Sequence, residues 1–78
     1  MKKQQAFTAI IEHERDGYAA LCPELDIASQ GDSVEGARKN LIEAIELFFE
    51  TASEAEVQER FCDEVFITRV EVAVGSKK

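Results

Sequence analysis

His13 is the only histidine of the chain, and it stands between two carboxylates, Glu12 and Glu14. An imidazole in such a setting could serve as a general base near neutral pH. The surrounding stretch predicts a β-strand, however, and in a strand Glu12 and Glu14 point to the face opposite His13. No acid on its own face would orient the imidazole, and no nucleophile is defined, so we interpret His13 as a structural or hydrogen-bonded residue. We therefore predict no catalytic residue and no enzymatic activity.

The aspartates Asp16, Asp26 and Asp32 lie in predicted turns between the strands and the helix. Their scatter matches neither the ligand spacing of a calcium loop nor the close carboxylate pair of an acid/base site. The four glycines are widely separated, so there is no Gly-rich phosphate loop. We predict solvated turn residues that bind neither a metal nor a cofactor. A residual nuclease or hydrolase is the rival class, and it would need a divalent-ion-dependent activity that is lost when Asp26 or Asp32 is changed.

The two cysteines, Cys22 and Cys62, are 40 residues apart, without a CxxC motif and without a histidine nearby. We predict two free thiols that pack as small apolar residues, each of them at least partly buried. A redox pair or half of a metal site is the alternative, but the other ligand types that a metal site requires are missing.

Composition limits the classes of protein that the chain could form. It has 78 residues, 45% of them apolar, and 16 acidic against 9 basic side chains give a formal net charge of −7. This length predicts a single domain over residues 1–78, and the negative charge argues against direct binding to nucleic acid. The apolar stretch at residues 6–11 is too short for a signal peptide, and no stretch is long enough to span a membrane. We expect a cytoplasmic protein that does not bind membranes.

Hydrophobic periodicity predicts an antiparallel hairpin near the start of the chain. Residues 6–14 are mostly apolar and β-branched, Asp16-Gly17 suits a two-residue turn, and residues 18–22 run back. With that turn, His13 would lie opposite Ala20. One face of the hairpin would carry Phe7, Ala9, Ile11, His13, Tyr18, Ala20 and Cys22.

A third strand and a main helix are predicted after this hairpin. Pro23 should end the second strand, and the third strand is expected over residues 27–30. Ser33 is the predicted N-cap of the helix, because apolar residues recur at helical spacing after it. The apolar stripe that should face the core comprises Val34, Ala37, Leu41, Ala44, Ile45, Phe48 and Ala52.

The last third of the chain predicts a second helix and a fourth strand. Ser53 and Glu56 have the spacing of a capping box, which predicts a short helix over Glu54–Arg60. Residues 65–74 alternate in the manner of a strand, and a helical crossover would bring them parallel to the first strand. The expected fold class is α+β with the order β-β-β-α-β, a mixed four-stranded sheet covered on one face by one main helix.

Residues 16–50, DGYAALCPELDIASQGDSVEGARKNLIEAIELFFE, resemble the core signature of the HicB-type antitoxin family. The segment combines a Gly-Tyr pair after a hairpin turn, a Pro-Glu-Leu turn, a Gln-Gly-Asp-Ser helix entry and an Asn-Leu-x-Glu-Ala helix. The resemblance covers about half of the chain and implies a partial RNase H fold without its catalytic carboxylates. Longer members continue into a C-terminal DNA-binding domain, whereas this sequence stops at Lys78, so we expect neither that domain nor autorepression. Gly36 also replaces the Glu that commonly completes the helix cap.

The resemblance implies a function as well as a fold. Members of the family bind and inhibit HicA-type toxins, which are small RNA-cleaving proteins, so a small basic ribonuclease is the expected partner. The net charge fits this independently, because a ribonuclease must present a basic surface to RNA. The predicted toxin-binding residues lie at the acidic end of the hairpin and in the next turn: Glu12, Glu14, Asp16, Tyr18, Pro23, Glu24, Leu25 and Asp26.

One helix layer can cover only one face of the predicted sheet. Ile10, Leu21 and Ile67 place apolar surface on the other face, and we expect self-association into a dimer or a higher oligomer to cover it. The alternative function is therefore a homo-oligomeric structural or ligand-binding module without a toxin partner.

Overall fold

The computed structural model describes residues 4–75 and has an α+β fold. The three strands are β1 (Ile10–Glu14), β2 (Gly17–Cys22) and β3 (Ile27–Gly31), and the helices are α1 (Val34–Thr51) and α2 (Glu54–Arg60). The strands form an antiparallel sheet in the order β1-β2-β3. The predicted α+β class, the three-stranded antiparallel meander and the two helices are confirmed. The predicted four-stranded mixed sheet is wrong.

The loop of the first hairpin consists of Arg15 and Asp16. The prediction of an Asp16-Gly17 loop is therefore wrong, and His13 lies opposite Tyr18, two residues from the expected partner. Neither loop residue has a positive φ, which the favoured Asp-Gly turn would have required. Because the shift amounts to two residues, every side chain stays on its predicted face of the sheet.

Glycine is required in β2 and β3 by close contacts rather than by the turn. A Cβ on Gly17 would lie 2.6 Å from the carbonyl oxygen of Gly31 on the neighbouring strand. A Cβ on Gly31 would lie 2.3 Å from the backbone nitrogen of Ala37. The second contact lets the start of α1 lie directly on the end of the sheet.

The core lies between α1 and one face of the sheet. Its fully or almost fully buried residues are Ala20, Cys22, Leu25, Ala37 and Leu41. Around them pack partly buried side chains from most parts of the fold: Phe7, Ile11, Tyr18, Ile27, Ile45, Phe48 and Phe61. The predicted inner faces of hairpin and helix thus meet, although Val34, placed on the helix stripe by its spacing, is 48% exposed.

Both helices begin at the serines that the sequence predicts. The Ser33 side chain accepts a 2.9 Å hydrogen bond from the backbone N–H of Gly36. The Ser53 side chain accepts one of 3.1 Å from the N–H of Glu56. Each contact satisfies a donor that the first turn of a helix leaves without an intrahelical partner.

Neither α1 nor α2, the helices found in residues 4–75, has the length and apolar character that a membrane span requires.

Residues 65–74 do not form the expected strand beside β1. They form no ladder with β1, β2 or β3, and every residue from 66 to 74 is exposed. The position of α1 gives the physical reason, because this helix packs mainly on β3 and β2 and only marginally on β1. A fourth strand beyond β1 would therefore have little helix surface on which to bury its apolar side chains.

Candidate protein-binding surface

An open cleft of about 580 Å³ lies where the first hairpin loop meets β3 and the first turns of α1. We call it the hairpin cleft. Its lining combines three carboxylates with one basic side chain, an aromatic ring and two amides: Glu14, Asp16, Asp32, Arg15, Tyr18, Gln30 and Asn40. Because the acidic side chains outnumber the basic one, the cleft presents a negative surface around a partly buried aromatic ring.

Tyr18 is held in the hairpin cleft by its partner on β1. The rings of His13 and Tyr18 lie opposite each other across the ladder, with centroids 4.9 Å apart and planes inclined at 67°. Such an edge-to-face arrangement is a favoured geometry for aromatic pairs. His13 therefore contributes a ring contact that orients Tyr18.

Asn40 connects the helix to the sheet beside the same cleft. Its side-chain amide donates a 2.7 Å hydrogen bond to the backbone carbonyl of Gln30. Asn40 was not among the residues predicted from the sequence. Its helical neighbours Ala37 and Leu41 face the core. A polar side chain beside them was the signal that could have identified Asn40.

The turn from β2 to β3 places one of its predicted contact residues in the interior. Leu25 has no exposed surface and belongs to the core, so its prediction as an apolar contact for a partner is wrong. Asp26, which is exposed, adopts a positive φ of 57°. This left-handed conformation turns the chain sharply after Leu25.

The Glu24 carboxylate also points inward, toward the segment that precedes β1. It accepts hydrogen bonds from the Thr8 hydroxyl at 2.6 Å and from the Thr8 N–H at 3.1 and 3.2 Å. The Cys22 thiol donates to it at 3.4 Å. Partial burial by itself would raise the pKa of Glu24, but these hydrogen bonds outweigh it and hold the pKa below its ordinary value.

Arg60, at the end of α2, fastens this helix to the same turn. Its guanidinium donates 3.1 Å hydrogen bonds to the carbonyls of Leu25 and Asp26. It also lies over the Phe48 ring, 5.5 Å from the centroid. The N–H of Cys62 donates to the Glu24 carbonyl at 2.8 Å, so α2 and the two residues after it cover one side of the turn. Arg60 could not be identified from the sequence, because its partners lie 34 and 35 positions away.

The predicted contact residues fall on three separate parts of the surface. Glu14, Asp16 and Tyr18 meet in the hairpin cleft. The turn with Pro23 and Asp26 lies at the other end of β2, about 17 Å away at 3.4 Å per residue. Glu12 faces the outer side of the sheet, opposite the helix layer. A continuous acidic surface that includes both ends of the hairpin is therefore not formed.

The predicted oligomer interface is divided as well. Ile10 and Leu21 lie opposite each other on the outer face, and 37% of Leu21 is exposed. Ile67 is not on the sheet, because residues 65–74 form no strand with it. Its assignment to the same face is wrong.

Both cysteines are free, and they differ in burial. Cys22 is fully buried, and its burial raises the pKa of the thiol above the ordinary value. Cys62 is exposed, so the prediction that both thiols are at least partly buried is wrong for this residue.

Within residues 4–75, no group of three histidine, cysteine or carboxylate side chains could hold a metal ion.

Comparison with known proteins shows a partial match. UPF0150 protein ssr1765 of Synechocystis sp. is 49% identical over 47 residues. The match covers 58% of this chain and 60% of that protein. No protein-family profile matches the chain, and no solved structure matches it. The chain is therefore similar to a UPF0150 protein over somewhat more than half of its length.

Proposed function

We propose that this chain is an antitoxin-like protein that binds a small basic RNA-cleaving toxin of the HicA type and inhibits it by masking its RNA-binding surface. The observation that carries the proposal is the hairpin cleft, whose lining contains three exposed carboxylates and Tyr18. The HicB-like resemblance of residues 16–50 supports it, because this segment supplies most of the residues that line the cleft.

Electrostatics gives the cleft a role in recognition. A chain of net charge −7 attracts a basic surface, and the carboxylates of Glu14, Asp16 and Asp32 direct this attraction to one concave region. Tyr18 supplies the aromatic contact that protein interfaces often place at their centre. Leu25 cannot serve in this way because it is fully buried.

Co-expression with each small basic protein encoded beside the chain tests the proposal. We expect one such protein to arrest growth and degrade RNA by itself, and growth to recover when this chain is produced with it. If no neighbouring protein is toxic and no native protein partner is recovered, the antitoxin function fails.

Association kinetics then test whether the hairpin cleft is the contact surface. Changing Glu14→Gln together with Asp16→Asn should slow association with the toxin several-fold and change dissociation less. The matched control is Glu43→Gln with Glu46→Gln, which removes the same charge from exposed positions of α1. Association should also slow as salt rises, because exposed charges are screened. Equal effects of the two double variants would show that only the net charge matters.

Self-assembly without a toxin is the second candidate function. The observation in its favour is the exposed apolar segment at residues 65–74. Sedimentation of the purified chain, together with the co-expression result, separates the two functions. Self-association without any neutralised toxin would favour the homo-oligomeric module.

A further inference from the structure

Residues 65–74 carry a large amount of exposed apolar surface for so short a segment. We call them the C-terminal arm. Its exposed large side chains include Phe66 (86%), Ile67 (56%), Val70 (79%), Val72 (74%) and Val74 (86%). Solvent exposure of several large apolar groups on one segment is typical of an interaction surface.

The alternation along the arm is that of a strand with one apolar face. Even-numbered positions carry Phe66, Thr68, Val70, Val72 and Val74, while odd-numbered positions carry Val65, Ile67, Arg69, Glu71 and Ala73. The two charged residues of the arm therefore share a face and stand two positions apart. β-branched residues, which favour extended backbone, make up more than half of the segment.

We propose that the C-terminal arms of two copies pair as antiparallel strands about a two-fold axis at Val70. This interaction surface is distinct from the hairpin cleft and does not depend on the antitoxin function. A two-fold axis at this residue makes the contact isologous, because each arm offers the other the same surface.

The positions of the charges select this register. With Val70 opposite its own copy, Arg69 of each arm lies opposite Glu71 of the other arm. Shifting the register by two positions in one direction places Arg69 opposite Arg69, and shifting it in the other direction places Glu71 opposite Glu71. Opposite charges directly across a strand pair are stabilising, and like charges are destabilising.

The same register matches the apolar side chains. Phe66 lies opposite Val74, and Thr68 lies opposite Val72, so one face of the paired arms is apolar except for two threonine hydroxyl groups. Aromatic and β-branched pairs of this kind are favourable across strands. The unpaired backbone groups of each arm also gain partners, which is how an exposed strand edge commonly becomes an interface.

The exposed edge of β1 is a weaker candidate for the partner of the arm. Its outer face carries Glu12 and Glu14, and an antiparallel arm with Arg69 opposite Glu12 places Glu71 opposite Ile10, so an added arm gains at most one attractive contact there. Pairing of two arms gives two attractive contacts directly across the strands. Charge complementarity therefore favours a second copy of the arm.

Charge exchange provides the sharpest test. Arg69→Glu alone and Glu71→Arg alone each replace two attractive contacts by two repulsive ones, and each should raise the dimer dissociation constant about tenfold or more. Mixing the two variants should restore association, because acidic residues at positions 69 and 71 of one arm then face basic residues of the other. The double variant should also dimerise like the wild type. Sedimentation equilibrium from about 1 μM to about 1 mM covers the affinities expected of such a small contact.

Oxidative cross-linking in a Cys62→Ser background tests the axis itself. Val70→Cys should form a covalent dimer, because directly opposed Cβ atoms lie about 4.5–5.5 Å apart. Val74→Cys is the matched control, since this equally exposed valine would lie about 27 Å from its own copy.

Each outcome decides the proposal. Recovery of association in the mixture, with cross-linking at position 70 and not at 74, supports it. A wild-type chain that stays monomeric throughout, a mixture that associates no better than either variant alone, or equal cross-linking at both positions overturns it. None of these results depends on whether a toxin exists.

Discussion

The Thr8 hydroxyl donates a 2.6 Å hydrogen bond to the Glu24 carboxylate, 16 residues further along the chain. The backbone N–H of Thr8 donates to both oxygens of the same carboxylate. Hydrogen bonds to a charged acceptor are among the stronger ones in proteins. This contact joins the segment before β1 to the turn between β2 and β3, and it gives Glu24 a structural role.

Replacing Glu24 should therefore destabilise the fold. Glu24→Gln removes the negative charge from an acceptor of three hydrogen bonds from Thr8, and we expect a loss of about 1–2 kcal/mol in the free energy of unfolding. Urea denaturation measures this loss. Glu46→Gln, the same substitution at an exposed site on α1, should change it by less than about 0.5 kcal/mol. Equal effects at both sites would contradict the structural role.

The contribution of Glu24 should also depend on pH. Its pKa in the folded protein lies below the ordinary value, so folding favours the charged form. The stabilisation is complete above the ordinary pKa of a glutamate and is lost as pH falls through the lowered pKa of the folded state. The stability difference between the wild type and Glu24→Gln should shrink from about pH 5.5 toward pH 3. A difference that stays constant over this range would argue against the carboxylate as the cause.

Arg60 should matter more than an arginine in an exposed ion pair. Arg60→Ala removes both hydrogen bonds to the turn carbonyls, and we expect a loss of about 1–2 kcal/mol together with faster amide exchange in α2. Arg60→Lys should recover little, because an ammonium lacks the planar donor fork of a guanidinium. The control is Arg38→Ala, which breaks only the exposed pair with Glu35 and should cost less than about 0.5 kcal/mol.

Two leucines of α1 should respond very differently to truncation. Leu41 is 2% exposed and contacts the core, whereas Leu47 is 58% exposed. Leu41→Ala should cost about 2–5 kcal/mol, because it leaves a cavity, while Leu47→Ala should cost less than about 1 kcal/mol. Thermal unfolding of both variants checks the difference. Similar losses would mean that α1 packs on a different face.

The two thiols should be distinguishable by their rates of labelling. Cys62 is exposed and should react rapidly with a thiol reagent, whereas Cys22 is buried, has a raised pKa and should react only after unfolding. We expect one rapidly labelled thiol per chain, and Cys62→Ser should abolish the rapid reaction. Rapid labelling of two thiols in the native protein would contradict the burial of Cys22.

Features governed by neighbouring residues could be predicted from the sequence. Ser33 and Ser53 start the two helices because each side chain binds a backbone donor three positions later. The faces of the hairpin were also predictable, since alternation along a strand is unaffected by a two-residue error in register. The cleft residues Glu14, Asp16 and Tyr18 were identified in the same way, from the short segment that brings them together.

Features governed by distant residues could not be predicted. Gly17 had the pattern of a turn residue, yet its close contact is with Gly31 on another strand. The inward position of Glu24 depends on Thr8, and the attachment of α2 depends on carbonyls more than 30 positions away. For residues 65–74, alternation indicates an extended backbone but does not identify the surface that covers it. Periodicity records which side chains share a face, whereas the partner of that face depends on where the rest of the chain folds.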